Sequence, residues 1–112
     1  MAKNIDPIKV VQDYAHELGQ KLRLKKVILF GSAVRNEMTY DSDLDVVVLS
    51  PDFKKLDFIK RLQFLSRARQ GEARKIPMDI LGYTEEEFEK MTKESVVLEE
   101  AKREGKEIKY SR

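Results

Sequence analysis

The chain has 112 residues, no cysteine, one histidine, and 38% charged residues that nearly cancel to +2. This length allows one domain spanning residues 1–112 with a single modest core. The missing cysteines exclude thiolate zinc sites, thiol catalysis and a disulfide framework, and fit a reducing cytoplasm. No apolar run approaches the roughly 20 residues of a membrane span, and the N-terminus lacks the apolar stretch of a signal peptide. A balanced charge also argues against a dedicated nucleic-acid binder, whose basic surplus is larger and clustered.

In chain order, Asp6-Pro7 reads as an N-cap with proline at the first helical position. Ile8, Val11, Ala15, Leu18 and Leu22 then recur at helical spacing, predicting an amphipathic helix over 7–23. His16 reads as a solvated residue of that helix, since one histidine builds neither a metal site nor a triad. Residues 26–30 form an apolar, β-branched run ending at Gly31, and residues 44–49 form another, closed by Ser50-Pro51. Helical spacing returns over 54–70 through Phe58, Leu62 and Leu65 and stops near Gly71. A third strand is expected over 75–83, with Pro77 near its start or at a sheet edge. Thr84 to Glu87 has the capping-box pattern of a helix running towards Met91. A further helix fits 94–104 with Gly105 as its stop, and 107–110 suits a short edge strand. The pattern α-β-β-α-β-α-α predicts an α/β (α+β) domain, a small mixed sheet flanked by helices, whose strand order the sequence leaves open.

The chemistry concentrates in two segments, Val27-Ile-Leu-Phe-Gly-Ser-Ala-Val-Arg35 and Asp41-Ser-Asp-Leu-Asp45. Asp43 and Asp45 flank Leu44 at a strand start, so both side chains leave one face. Their Cα atoms stand roughly 6.5–7 Å apart, close enough to share a cation. Two acids at the mouth of an apolar strand are costly without positive charge nearby. With no cysteine, oxygen-ligated Mg²⁺ or Mn²⁺ is the natural partner. A strand ending in Gly31-Ser32 with helix-compatible residues behind it suits an anion. Glycine permits close approach, Ser32 adds a hydroxyl donor, and Arg35 adds a charged one. Ser42, at the head of Ser-Asp-Leu-Asp, joins them as a candidate nucleotide contact. Asp79, inside the otherwise apolar Ile76-Pro-Met-Asp-Ile-Leu81, is the candidate third acid. Asp41 competes for that role but reads as a turn residue.

These residues resemble the nucleotidyltransferase superfamily that includes DNA polymerase β. Its pattern is an apolar residue, Gly, then Ser or Gly, a spacer of about ten, then acid-apolar-acid-apolar. Here that pattern is Phe30-Gly31-Ser32, ten residues, and Asp43-Leu44-Asp45-Val46, with Asp79 where the family places a third acid. The resemblance runs from the first helix to Glu104-Gly105 and is nearest to the minimal nucleotidyltransferases. Arginine is common in their turn region. Arg35 is present, whereas Ala33 and Thr39 replace it elsewhere.

The resemblance implies a polymerase β palm-like fold, two magnesium ions held by Asp43, Asp45 and Asp79, and ATP or another nucleoside triphosphate as substrate. It also implies transfer of AMP to a hydroxyl acceptor, with a helical HEPN-type toxin as partner and an antitoxin role. Two alternatives stand beside this reading. One is a non-catalytic module that neutralises its partner by occlusion, favoured by the missing arginines. The other is transfer to a small molecule or RNA, supported by the eight Lys and Arg of residues 54–75, which read more simply as a solvated face. Residues 85–107 hold nine Glu against five Lys and Arg, an asymmetry that suits self-association. Phe58, Phe64 and Phe88 read as core or interface packing.

Overall fold

The computed structural model describes residues 6–35 and 42–110. Asp6 caps helix α1 (Pro7–Gly19), its carboxylate accepting from the Ile8 N–H at 3.0 Å and from the Lys9 N–H. The helix stops at Gly19, one turn before the predicted end, because residues 20–22 turn over the Glu17 and Leu18 carbonyls. Strands β1 (Lys26–Phe30) and β2 (Leu44–Leu49) pair antiparallel, and β2 pairs parallel with β3 (Met78–Tyr83). A two-residue strand β4 (Lys106–Glu107) closes the other side of β1, giving the order β3-β2-β1-β4. The sheet is mixed and flanked by helices, as the sequence pattern predicts.

Alternation along the strands divides the core. Val27, Leu29, Leu44, Val46, Val48 and Ile80 face one side, where α1 contributes Val11, Tyr14, Ala15 and Leu18. Ile28, Phe30, Val47, Leu49 and Tyr83 face the other, where Phe88 of α4 (Glu85–Met91) and Leu98 and Ala101 of α5 (Val96–Glu104) cover them. The Tyr14 hydroxyl donates to the Leu65 carbonyl at 2.6 Å and so ties α1 to α2 (Phe58–Arg67). Burial pushes the phenol's pKa far above its ordinary value.

Four expectations need correction. The predicted 54–70 helix is a 3₁₀ turn over Pro51–Lys55 followed by α2, with Asp57 restarting the helix as its N-cap. The buried stripe of α2 is Arg61 and Leu65, continued by the C-cap Ala68, and of the two readings of Phe58 the core one fails, since it is 48% exposed. Residues 72–75 form a one-turn helix α3 (Glu72–Lys75), so β3 begins at Met78, just after Pro77. The terminal edge strand lies at 106–107, not 107–110. The Thr84–Glu87 capping box is present in both directions. Among the described residues no helix is long and apolar enough to cross a membrane.

Candidate functional site

The parallel register of β2 and β3 sets Asp45 directly beside Asp79, and the antiparallel register of β1 sets Phe30 on Asp45's other flank. Val47, Leu49, Leu81 and Tyr83 share the parity of the two acids and pack with α4 and α5, so both carboxylates emerge on that face. Neighbouring strands lie about 4.8 Å apart, which keeps the pair within reach of one cation. The Leu44 N–H donates to the Pro77 carbonyl at 2.9 Å, extending the ladder past the start of β3 and fixing the acidic ends of both strands together. Asp43 lies just before β2, exposed, and Ser42 precedes it, partly buried. Asp41 lies outside the described residues.

Gly31 is shaped by this arrangement. Its φ of +78° lies in the region that disfavours residues with a Cβ. A Cβ there would also collide with the Asp45 carboxylate, so glycine answers two demands at once. The Gly31–Ala33 segment is a single 3₁₀ turn, and the Val34 and Arg35 N–H groups both donate to the Gly31 carbonyl at 3.1 and 3.2 Å. Gly31 is buried, and Ser32 is partly exposed beside it.

The electrostatics are one-sided. Burial raises the Asp45 pKa above the usual carboxylate value, and the charges of Asp79, Asp43 and Glu100 raise it further, while Arg35 opposes them. Sequence reasoning did not find Glu100. It sits on α5, 55 residues beyond Asp45 in the chain, and no local pattern marks it. Arg35 does not stand open towards an anion, since its guanidinium pairs with Glu100 at 3.0 Å and Glu104 at 3.8 Å. The structure therefore brings Asp45, Asp79 and Gly31 together, with Asp43 and Ser32 at the margin and Arg35 tied to α5. Among the described residues, no three His, Asp or Glu side chains converge tightly enough to hold a metal ion as they stand. His16 lies on α1, its ring 3.0 Å from the Gln20 amide.

Comparison with known proteins agrees with this architecture. The nucleotidyltransferase domain family matches residues 11–105. A Methanocaldococcus jannaschii protein, provisionally named a protein adenylyltransferase, is 36% identical over 47 residues, 41% of this chain and 48% of its own. The matched segment thus spans about half the length of that curated relative. Among solved structures, a provisionally named nucleotidyltransferase from Sulfolobus solfataricus aligns with a TM-score of 0.60 at 21% identity, over 80% of this chain and 84% of its own. A toxin–antitoxin structure with AMP-PNP aligns with a TM-score of 0.60 at 21% identity, over 90% of this chain and 74% of its own. At that identity the structural likeness concerns the fold. With the family matching 95 of its residues, 11–105, this chain belongs to the nucleotidyltransferase domain family.

Proposed function

We propose that this chain transfers a nucleoside monophosphate, AMP from ATP, to a hydroxyl of a partner protein, in the manner of an antitoxin that silences a HEPN-type toxin. The observation that carries the reading is the in-register pairing of Asp45 with Asp79 beside Gly31, at the acidic ends of adjacent parallel strands. The family match and the provisional name of the Methanocaldococcus relative support the transfer chemistry. The toxin–antitoxin neighbour solved with AMP-PNP supports the nucleotide and the kind of partner.

The donor set fits magnesium, with manganese as its substitute. Asp43, Asp45 and Asp79 offer only carboxylate oxygens, and Asp45 lies in an excess of negative charge that a divalent cation relieves. A divalent metal held by these acids would neutralise phosphate charge and lower the pKa of the acceptor hydroxyl. The chain's own residues do the rest. Gly31 lets the phosphates approach the backbone, and Ser32 donates its hydroxyl to them. Asp79, at the exposed start of β3, accepts the proton of the acceptor hydroxyl. The hydroxyl oxygen bonds to the α-phosphorus as the α–β phosphoanhydride bond breaks, and pyrophosphate leaves.

The occlusion reading draws on a different observation, the pairing of Arg35 with Glu100 and Glu104, which removes the one turn-region arginine from the phosphate path. One experiment separates the two. The purified chain is incubated with α-phosphate-labelled ATP, Mg²⁺ and lysate of its host, beside an Asp43→Asn/Asp45→Asn control. Label on a protein, absent in the control, supports transfer. An unlabelled partner that still co-purifies with both forms supports occlusion.

A further inference from the structure

The eight cations of residues 54–75 do not form one solvated face. Arg61 is buried, its guanidinium donating to the Leu56, Gly82 and Phe53 carbonyls and pairing with Glu87 at 2.7 Å. Arg69 donates to the Ala73 and Ile76 carbonyls at 2.8 and 2.6 Å and braces the turn into β3. Two of the eight are therefore structural. Among the described residues, the ion pairs formed by this segment are Arg61–Glu87 and Lys75–Glu72.

What remains is organised. A groove of about 490 Å³ runs along the outer flank of α2, with a floor of Leu56, Phe64 and Ala68. Lys21, from the end of α1, stands on one rim, and Lys60 and Arg67 stand on α2, with no acid in the lining. Lys60, Phe64 and Arg67 follow i, i+4, i+7 spacing, which sets the Cα atoms of Lys60 and Arg67 about 10.5 Å apart along one helical stripe. Arg67 also borders a second hollow with Arg69 and Arg74, which continues the positive run towards β3.

We infer that this groove docks an acidic amphipathic helix of the acceptor protein. An apolar floor between cationic rims matches a helix with one apolar stripe flanked by carboxylates, whose i, i+7 spacing equals that of Lys60 and Arg67. A phosphate backbone would use the cations but leave the apolar floor in water, which disfavours a nucleic-acid strand here. The location serves transfer. Arg74, which borders the adjoining hollow, stands five positions before Asp79 in the chain, so their Cα atoms are at most about 18 Å apart. The groove lies across the sheet from the Asp79 carboxylate, with β3 as the edge strand between them. A helix held there would leave the flanking chain to round that edge towards Asp79.

The inference rests on the reading that the acceptor is a protein, and its test uses no nucleotide, so the two can fail separately. Three labelled probes are compared by fluorescence anisotropy at low and high salt: a Leu/Glu amphipathic helical peptide, a scrambled peptide of equal composition, and a single-stranded RNA oligonucleotide. The amphipathic peptide should bind about tenfold tighter than the scrambled one, and Lys60→Glu/Arg67→Glu should weaken it about tenfold. Lys93→Glu/Lys106→Glu, in the α4–α5 half of the chain and at β4, should leave binding unchanged. The four substituted side chains are exposed, so unfolding midpoints should confirm that both variants fold. Equal binding of the scrambled peptide, tighter binding of the RNA, or indifference to the groove charges would overturn the inference. Peptide binding without AMP transfer in the earlier assay would leave it standing and count against the catalytic reading.

Discussion

Gly31→Ala adds a single methyl where φ is +78° and where that methyl meets the Asp45 carboxylate. Holding an alanine in the left-handed region costs about 1–2 kcal/mol. Turning the Asp45 side chain off its rotamer to relieve the collision adds about 1 kcal/mol. The unfolding free energy should fall by about 2–3 kcal/mol, enough to lower the thermal midpoint by about 10 °C or more. Transfer should fall further than stability suggests, on the order of 100-fold, because a displaced carboxylate no longer meets the reacting atoms. Urea unfolding and labelled-AMP transfer measure the two effects. The same substitution in an Asp45→Ala background isolates the collision, since only the backbone cost should remain there. If Gly31→Ala costs as much in that background as in the parent, the contact with Asp45 is not what requires glycine.

Three further outcomes follow from the geometry. Arg61→Met should destabilise the fold by about 2–3 kcal/mol by taking the guanidinium from the Leu56, Gly82 and Phe53 carbonyls and from Glu87, and Arg61→Lys should recover only part, because an ammonium cannot span those acceptors; denaturant midpoints decide. The Arg61 guanidinium holds the Glu87 pKa below its ordinary value of 4.5, so that stabilisation is present above that pH and is lost as pH falls through the lower folded value. The stability gap between parent and Glu87→Gln should therefore persist at pH 7 and close in strong acid; an unchanged gap refutes the pairing. Asp45→Asn should raise the unfolding midpoint without metal, because it removes a carboxylate held against burial and like charge, and it should abolish any midpoint gain on adding Mg²⁺.

Much of this was readable in the residues. The runs at 26–30 and 44–49 gave strands with the predicted bounds, because β-branched apolar residues bounded by Gly31 and Ser50-Pro51 leave few alternatives. Asp43 and Asp45 stand out at a strand mouth, and Asp79 stands out as an acid inside an apolar run. The pairing of Asp45 with Asp79 was not readable, because register between strands 34 residues apart is set by packing on both faces. The predicted stripe on the middle helix was rotated. Arg61 takes a core position one turn before Leu65, a place that its charge hides from a hydrophobic count although the i, i+4, i+7 series Arg61-Leu65-Ala68 was there to find. The pairing of Arg35 with Glu100 and Glu104 was equally hidden, because both acids come from a distant helix that local spacing cannot bring to it.

On the proposed function, the acids of β2 and β3 form a divalent-metal and nucleotide site. Mn²⁺ titrated into isotope-labelled protein with ATP tests it most directly, read as paramagnetic broadening of backbone amide resonances. Broadening should be selective for Gly31, Ser32, Asp45 and Asp79 and lost in Asp45→Asn. Broadening centred on the Glu85–Glu87 turn, or equal in parent and variant, would contradict it.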